Sequence, residues 1–172
     1  MRNPARSIPS PAYRAGSLAL LAMCLVILTA LGFEYFGGYA PCPLCLQQRY
    51  AYFAGIPATF LALVLASAGR PRLGGLLFLL AAVAFLANAG LGVSHAGAEW
   101  KFWPGPETCA GVVQPLGSGT GGVLKGLDQV RVVRCDAAPW TFAGLSFAGW
   151  NVVISFLLFV GLLQTAFKAA LR

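Results

Sequence analysis

Four long stretches without a charged residue limit most strongly how this chain can fold. The runs are between 19 and 31 residues long and cover Ala15–Phe33, Tyr50–Gly69, Leu73–Ala98 and Ala137–Phe167. A helix of about 20 apolar residues crosses the hydrocarbon core of a bilayer. We therefore predict an all-α membrane protein, a bundle of four transmembrane helices forming a single domain over residues 1–172. The spans are expected at about 15–34, 50–69, 73–94 and 145–167, with outer loops at about 35–49 and 95–144.

The composition agrees with a protein whose solvent is largely lipid. Of the 172 residues, 58% are hydrophobic and only 10% are charged, against about 25% charged in soluble proteins. A soluble domain of this size leaves too much of its surface in water to hide so many apolar side chains. Disordered chains, collagen-like repeats and cytosolic enzymes are therefore excluded.

The first apolar run also follows several arginines, as the core of a signal peptide does. It is longer than the 7–15 residues usual for such a core. The nearest small-residue site, Gly38-Tyr39-Ala40, is followed by Pro41, which we expect to block cleavage. We therefore interpret the run as an uncleaved anchor.

The basic residues predict the orientation in the membrane. Short loops rich in Lys and Arg mark the cytoplasmic side. The N-terminal tail, the turn between the second and third spans and the C-terminal end contain basic residues and no acid, and together they account for the net charge of +7. These residues are Arg2, Arg6, Arg14, Arg70, Arg72, Lys168 and Arg172. Both termini are then cytoplasmic, both outer loops are exoplasmic, and the charge indicates topology rather than nucleic-acid binding.

This topology divides the five cysteines into two groups. Cys24 lies in the middle of the first span, where we interpret it as a small buried hydrophobe. Cys42 and Cys45 lie in the first outer loop, and Cys109 and Cys135 lie in the second. Because the exoplasmic side permits disulfides, two cysteine pairs on one face indicate either redox chemistry or structural cross-links.

The sequence Cys42-Pro43-Leu44-Cys45 is a Cys-x-x-Cys motif. This spacing allows the pKa of one thiol to be lowered, and it is typical of pairs that exchange disulfides. The motif lies at the start of the second span, on the membrane surface. A dithiol there can meet both a water-soluble protein and a lipid-soluble cofactor.

The second pair, Cys109 and Cys135, lies in a long glycine-rich loop that we expect to be mobile. Taken alone, these two residues are compatible with a structural cross-link, which would be worth about 3–4 kcal/mol by chain entropy. They are equally compatible with a second redox pair. The neighbouring Cys-x-x-Cys motif favours the redox pair.

Four cysteines also suit zinc, but only one Cys-x-x-Cys motif is present and an oxidising compartment competes for the thiols. We expect no metal.

Arg49 and His95 are candidate cofactor-binding residues. Arg49 follows Cys45 by one helical turn, so its charge can stabilise a thiolate or an anionic reduced cofactor; the alternative is an arginine that extends to the lipid headgroups. His95 is expected at the outer end of the third span. It is either a boundary residue or a donor and proton carrier for a quinone.

Aromatic and amphipathic segments complete the outer side. Trp100, Phe102, Trp103 and Trp140 have the positions of an interfacial aromatic belt. Within residues 123–131, apolar residues recur at helical spacing with charged residues on the other side, which suggests a short amphipathic helix lying on the membrane. The stretch Val130–Val133 is equally compatible with an extended conformation.

Together these features resemble the disulfide-bond formation protein B (DsbB) family of bacterial inner membranes. The resemblance covers essentially the whole chain, and its most specific element is Cys-x-x-Cys-x-x-x-Arg, here Cys42, Cys45 and Arg49. The Cys109 and Cys135 pair and Trp140 before the fourth span also match. Gln47 differs from the aromatic residue expected in many relatives, and the run Trp103-Pro104-Gly105-Pro106 is particular to this loop.

The resemblance implies a quinone-dependent thiol oxidase. It would reoxidise a periplasmic thioredoxin-fold partner (DsbA-like), which attacks a Cys109–Cys135 disulfide at Cys109. Electrons would pass by exchange between Cys135 and Cys42 to the Cys42–Cys45 pair, and from Cys45 to ubiquinone or menaquinone of the respiratory chain. Arg49 and His95 would assist beside the quinone.

Two other functions are compatible with the residues. One is a quinone oxidoreductase similar to vitamin K epoxide reductase, although in that family the quinone-proximal Cys-x-x-Cys belongs to a later helix. The other is a non-catalytic four-span adaptor whose outer loops are cross-linked by disulfides.

Overall fold

The computed structural model describes residues 11–105 and 135–171. Within them lie four helices and one short antiparallel strand pair. The helices are α1 (Pro11–Tyr35), α2 (Pro43–Ser67), α3 (Pro71–Glu99) and α4 (Phe147–Ala170), and the strands are β1 (Thr141–Phe142) and β2 (Leu145–Ser146). All four helices are long and apolar enough to cross a membrane. The prediction of a four-span, all-α membrane protein is therefore confirmed.

Local sequence signals set where these helices begin. Pro43 and Pro71 occupy the first turns of α2 and α3, where proline is favoured because its missing N–H has no intrahelical partner there. Ser146 caps α4, and its hydroxyl accepts a hydrogen bond from the backbone N–H of Gly149. Gly69 has a φ of +78° in the short turn between α2 and α3, a conformation that glycine adopts without strain.

Helix α3 is the centre of the bundle, with its most extensive contacts to α4 and α2. Aromatic and aliphatic side chains fill the core, among them Met23, Phe78, Phe85 and Leu162. Small residues allow the backbones to approach closely: a Cβ on Gly74 would lie 2.7 Å from the carbonyl oxygen of Ala62. Close approach through small residues is the usual way in which membrane helices pack.

Buried polar side chains also join the helices. The Tyr52 hydroxyl on α2 donates to Asn151 Oδ1 on α4 at 2.9 Å, and Asn88 on α3 donates to Ser155 Oγ at 2.9 Å. Hydrogen bonds of this kind satisfy polar groups that would otherwise be buried without a partner, and they fix the register of the helices.

The largest differences between the helices and the predicted spans are at the start of α2 and the end of α3. α2 begins at Pro43 rather than near Tyr50, so the second half of the predicted first outer loop is helical; α3 continues to Glu99, so His95 lies inside a helix rather than beyond one. α4 begins at Phe147, after the strand pair. For α2 the reason is that Arg49 marks the end of the charge-free run, whereas the helix begins after its N-cap, Cys42. The predicted amphipathic helix and mobile loop, between residues 106 and 134, lie outside the described residues.

Candidate active site

The N-terminus of α2 positions the Cys-x-x-Cys pair. Cys42 is the N-cap residue, and its sulfur accepts a hydrogen bond from the backbone N–H of Cys45 at 3.1 Å. The two sulfur atoms are 2.7 Å apart, and both residues are free thiols. Cys42 is buried, whereas Cys45 is only partly buried. The pair is thus asymmetric, with one sulfur facing the protein interior.

The same contacts make Cys42 an acidic thiol. A hydrogen bond with the Cys45 thiol lowers the pKa of Cys42 to about 5, although burial of the sulfur acts in the opposite direction. A contact with His95 and the backbone N–H of Cys45 lower this pKa further. When the pair is reduced, Cys42 is therefore a thiolate at neutral pH, the form that takes part in disulfide exchange.

His95 faces this thiolate from α3. Its ring is buried, with Nε2 3.7 Å from the Cys42 sulfur. The other ring nitrogen, Nδ1, lies 3.0 Å from Nε2 of the buried Gln48 side chain on α2. If the Gln48 amide donates to Nδ1, the ring proton is on Nε2, where it points to the sulfur. Gln48 therefore holds the imidazole against Cys42.

Glu99 is a second polar partner of the His95 ring. One carboxylate oxygen lies 3.8 Å from Nε2, and the side chain is only 4% exposed. The other oxygen accepts a hydrogen bond from the hydroxyl of Ser146, the cap of α4. Neither Glu99 nor Gln48 is among the site residues that the sequence predicts, and Glu99 falls within the predicted second outer loop. The signal was its spacing of four residues from His95, visible only if α3 extends beyond the apolar run.

Cys135, one member of the predicted second cysteine pair, lies beside Cys42 and His95. It is disulfide-bonded and 1% exposed. Its sulfur lies within 4.8 Å of the Cys42 sulfur and of a ring nitrogen of His95. Cys109 lies outside the described residues. The structure therefore places three of the predicted site residues, Cys42, His95 and Cys135, in one buried cluster.

A contact between Lys101 and Asp136 stabilises the position of the segment that contains Cys135. The Lys101 ammonium, just beyond the end of α3, donates to the backbone carbonyl of Asp136 at 2.6 Å and to its carboxylate at 3.0 Å. A few residues later, Trp140 packs against Phe33 and Phe147, with ring centroids 5.3 Å and 4.8 Å away. Trp140 thus joins α1 to the beginning of α4 and is not merely part of an interfacial belt.

Arg49 lies one turn beyond Cys45 and forms an ion pair with Glu34 on α1. Both side chains are largely buried, 14% and 23% exposed, so the pair is screened less than a surface pair. The neighbouring α2 side chains Leu46, Tyr50 and Phe53 are exposed. The Arg49 guanidinium, paired with Glu34, thus lies beside an apolar outer surface that a lipid-soluble molecule can reach.

Comparison with known proteins agrees with this geometry. The family described as "Disulfide bond formation protein DsbB" matches residues 13–165. Proteins named "Disulfide bond formation protein B" from several bacteria are similar to the chain. The one from Azoarcus sp. (strain BH72) is 31% identical over 79% of this chain and 81% of its own; that from Verminephrobacter eiseniae is 32% identical over 88% and 84%. The one from Acidovorax sp. (strain JS42) is 33% identical over 85% and 83%. No solved structure matches the chain.

Proposed function

Because this chain belongs to the DsbB family of membrane proteins that form disulfide bonds, we propose that it reoxidises a periplasmic DsbA-like thiol oxidase and passes the electrons to a membrane quinone. The observation that carries the proposal is the distance between the two cysteine pairs. The sulfur atoms of Cys42 and Cys135 lie within 4.8 Å of each other in a buried cluster. Two structural cross-links have no need to meet in this way, whereas two pairs that exchange electrons do.

The first exchange takes place at the second cysteine pair. A thiolate of the partner attacks the Cys109–Cys135 disulfide at Cys109, forming a mixed disulfide and releasing Cys135 as a thiolate. The second thiol of the partner then attacks the partner's sulfur in the mixed disulfide and releases Cys109 as a thiolate. The partner thereby loses two electrons and two protons and leaves with a disulfide. Cys109 is the expected point of attack because Cys135 is buried and less accessible to a protein.

The second exchange moves the electrons to α2. Cys135 attacks Cys42 of an oxidised Cys42–Cys45 pair, and the bond breaks so that Cys45 leaves as a thiolate. Attack on Cys42 rather than Cys45 follows from proximity, since Cys42 is the member of the pair that belongs to the buried cluster. Once released from the partner, Cys109 attacks Cys135 of the resulting Cys42–Cys135 disulfide. This restores the Cys109–Cys135 disulfide and releases Cys42, so that the Cys42–Cys45 pair holds the two electrons.

The residues around Cys45 fit a quinone. When bound, a quinone supplies an acceptor for two electrons and two protons. Arg49 would bind the oxygen that becomes anionic, while Leu46, Tyr50 and Phe53 offer an exposed apolar surface to the ring and tail. The DsbA couple is already strongly oxidising, at about −120 mV, so an acceptor of higher potential is needed to draw electrons from it.

His95 and Glu99 act on Cys42 in this scheme. Both ring nitrogens of His95 face protein partners, and the ring is buried. We therefore assign His95 to orienting and protonating the Cys42 sulfur during exchange, which is a role through the thiol rather than through direct contact with the quinone. A Glu99 oxygen lies 3.8 Å from the same ring nitrogen, Nε2, while Gln48 contacts Nδ1.

The location follows from the charges and the cysteines. The proposed membrane is the bacterial inner membrane, with both termini in the cytoplasm and the cysteine pairs in the periplasm. Seven uncompensated basic residues on the termini and on the α2–α3 turn support this orientation.

The test is quinone reduction by the full-length protein in detergent after a reduced DsbA-type dithiol is added. We expect turnover that disappears in both Cys45→Ser and Cys109→Ser and persists in Cys24→Ser. Folding is checked in each variant by thermal unfolding of the helical signal. A folded wild-type protein that reduces neither ubiquinone nor menaquinone, with its outer cysteines in disulfides, would instead indicate a cross-linked adaptor.

A further inference from the structure

Three potential metal ligands converge from distant parts of the chain. The sulfur atoms of Cys42 and Cys135 and a ring nitrogen of His95 lie within 4.8 Å of one another, and all three residues are buried. We propose that reduction of the Cys135 disulfide opens a site for one soft divalent cation of the Zn²⁺ type at Cys42, His95 and Cys135. The resting protein, in which Cys135 is disulfide-bonded, would not bind it.

The distances are close to those of a tetrahedral site. With zinc–sulfur bonds of about 2.3 Å and zinc–nitrogen bonds of about 2.0 Å, neighbouring ligand atoms lie about 3.5–3.8 Å apart. The Cys42 sulfur and His95 Nε2 are 3.7 Å apart, and no atom of the cluster is further than 4.8 Å from another. Side-chain movements of about 1 Å therefore bring the three atoms to bonding positions around one ion.

Cys45 would supply the fourth ligand after a movement of its side chain. Its sulfur is 2.7 Å from that of Cys42 and would have to move about 1 Å away to reach the spacing of a tetrahedral site. Two cysteines separated by two residues are a usual spacing in zinc sites. The backbone N–H of Cys45 already points to the Cys42 sulfur, and a hydrogen bond of this kind helps to hold a thiolate ligand. Three cysteines and one histidine form one of the common structural zinc sets.

Gln48 holds the histidine ligand. A histidine that binds a metal through one nitrogen commonly donates its other ring N–H to an oxygen of the protein, which fixes the ring. Gln48 lies 3.0 Å from Nδ1, and turning its amide by half a rotation would present an oxygen to an Nδ1 proton. Nε2, which faces the Cys42 sulfur at 3.7 Å and a Glu99 oxygen at 3.8 Å, then carries no proton and can bind the cation.

The redox state controls this site. A disulfide sulfur is not a thiolate, so a two-electron reduction by a phosphine or dithiol is needed before Cys135 can become a ligand. Each thiol that then binds the cation loses its proton to the buffer, and the cation keeps its oxidation state. The affinity for the cation should therefore decrease as the pH is lowered, because protons compete with the cation for the ligand atoms.

The experiment uses the full-length protein in detergent, reduced with a phosphine without oxygen and titrated with Co²⁺ as a spectroscopic probe. We expect one Co²⁺ for each chain, with thiolate-to-cobalt charge-transfer bands and the visible bands of a tetrahedral ion, and displacement by Zn²⁺. The oxidised protein should show none of these bands. Their absence from reduced, folded wild-type protein would overturn the proposal.

Variants distinguish the complete site from a pair of thiols that binds metal by itself. We expect Gln48→Ala to weaken binding about tenfold to hundredfold, as loss of outer-sphere partners does, and His95→Ala and Cys135→Ser to weaken it more. Cys24→Ser is the matched control with unchanged affinity, and thermal unfolding checks each fold. Equal affinity in wild type, His95→Ala and Cys135→Ser would contradict the site. No quinone or partner enters the measurement, so its result is independent of the proposed electron transfer.

Discussion

Cys42 and Cys45 differ in chemistry although they belong to one short motif. Cys42 caps α2, is buried and faces His95, whereas Cys45 is more accessible and lies one turn before Arg49. The sequence alone suggested that Arg49 stabilises a thiolate at Cys45. In the structure, the stabilised thiolate is at Cys42, because that sulfur receives the hydrogen bonds of the motif.

At the residue scale, the ionisation of Cys42 can be measured directly. In the fully reduced protein with a chelator present, we expect thiolate ultraviolet absorbance to appear with a midpoint near pH 5, from the pKa of Cys42. Cys42→Ser should lack this first step. Absorbance that appears only around the ordinary thiol pKa, about 8.5, would contradict the assignment.

The same shift of pKa links stability to pH. Because the pKa of Cys42 is lowered on folding, the unfolded reduced chain binds more protons between about pH 5 and the ordinary thiol pKa. The free energy of unfolding of the reduced protein should therefore rise with pH across this window. The contribution is lost as the pH falls to 5. Cys42→Ser should show a flatter dependence.

Arg49 is expected to act on the quinone. Replacing it with alanine removes one charged hydrogen bond, and such bonds are worth about 1.5–3 kcal/mol, so the apparent KM for quinone should rise about tenfold or more. The apparent KM for the partner dithiol should not change. Glu34→Gln is the control, since it breaks the ion pair but leaves the guanidinium. Equal effects of both variants would mean that Arg49 serves only to join α1 and α2.

At the scale of elements, contact between α2 and α3 depends on glycine. A Cβ on Gly74 would lie 2.7 Å from a backbone oxygen of α2, and the backbone cannot turn aside as a side chain can. A Cβ on Gly90, also on α3, would meet nothing within 4 Å. Alanine at either position changes the helix propensity, but only alanine at Gly74 also disturbs the packing of α3 against α2.

Gly74→Ala should lower the free energy of unfolding by about 1–3 kcal/mol, the usual cost of overpacking. Gly90→Ala should be neutral or stabilising by up to about 1 kcal/mol, because alanine favours the helix. Unfolding by denaturant in detergent measures both. If Gly74→Ala were as stable as Gly90→Ala, the close α2–α3 packing would be wrong.

At the scale of the whole molecule, the sequence predicts the membrane helices better than it predicts the site. Charge-free runs predict all four helices, because lipid excludes charge from every residue of a span and the residues of a span are contiguous in the sequence. The Cys-x-x-Cys motif was visible because its members are local. Contacts of Gln48 with His95 and of Glu99 with Ser146 join residues 47 positions apart, and no periodicity or spacing reveals such pairs. They depend on how α2, α3 and α4 pack.

The central claim is that the two cysteine pairs exchange electrons through Cys42 and Cys135. The most direct test is a protein carrying Cys24→Ser, Cys45→Ser and Cys109→Ser, so that these two cysteines alone remain. Their sulfur atoms lie within 4.8 Å and need to approach to about 2.05 Å to form a disulfide. On mild oxidation, we expect an intramolecular Cys42–Cys135 disulfide, identified by mass spectrometry of the linked peptides. A folded protein in which both thiols stay free under these conditions would contradict the account.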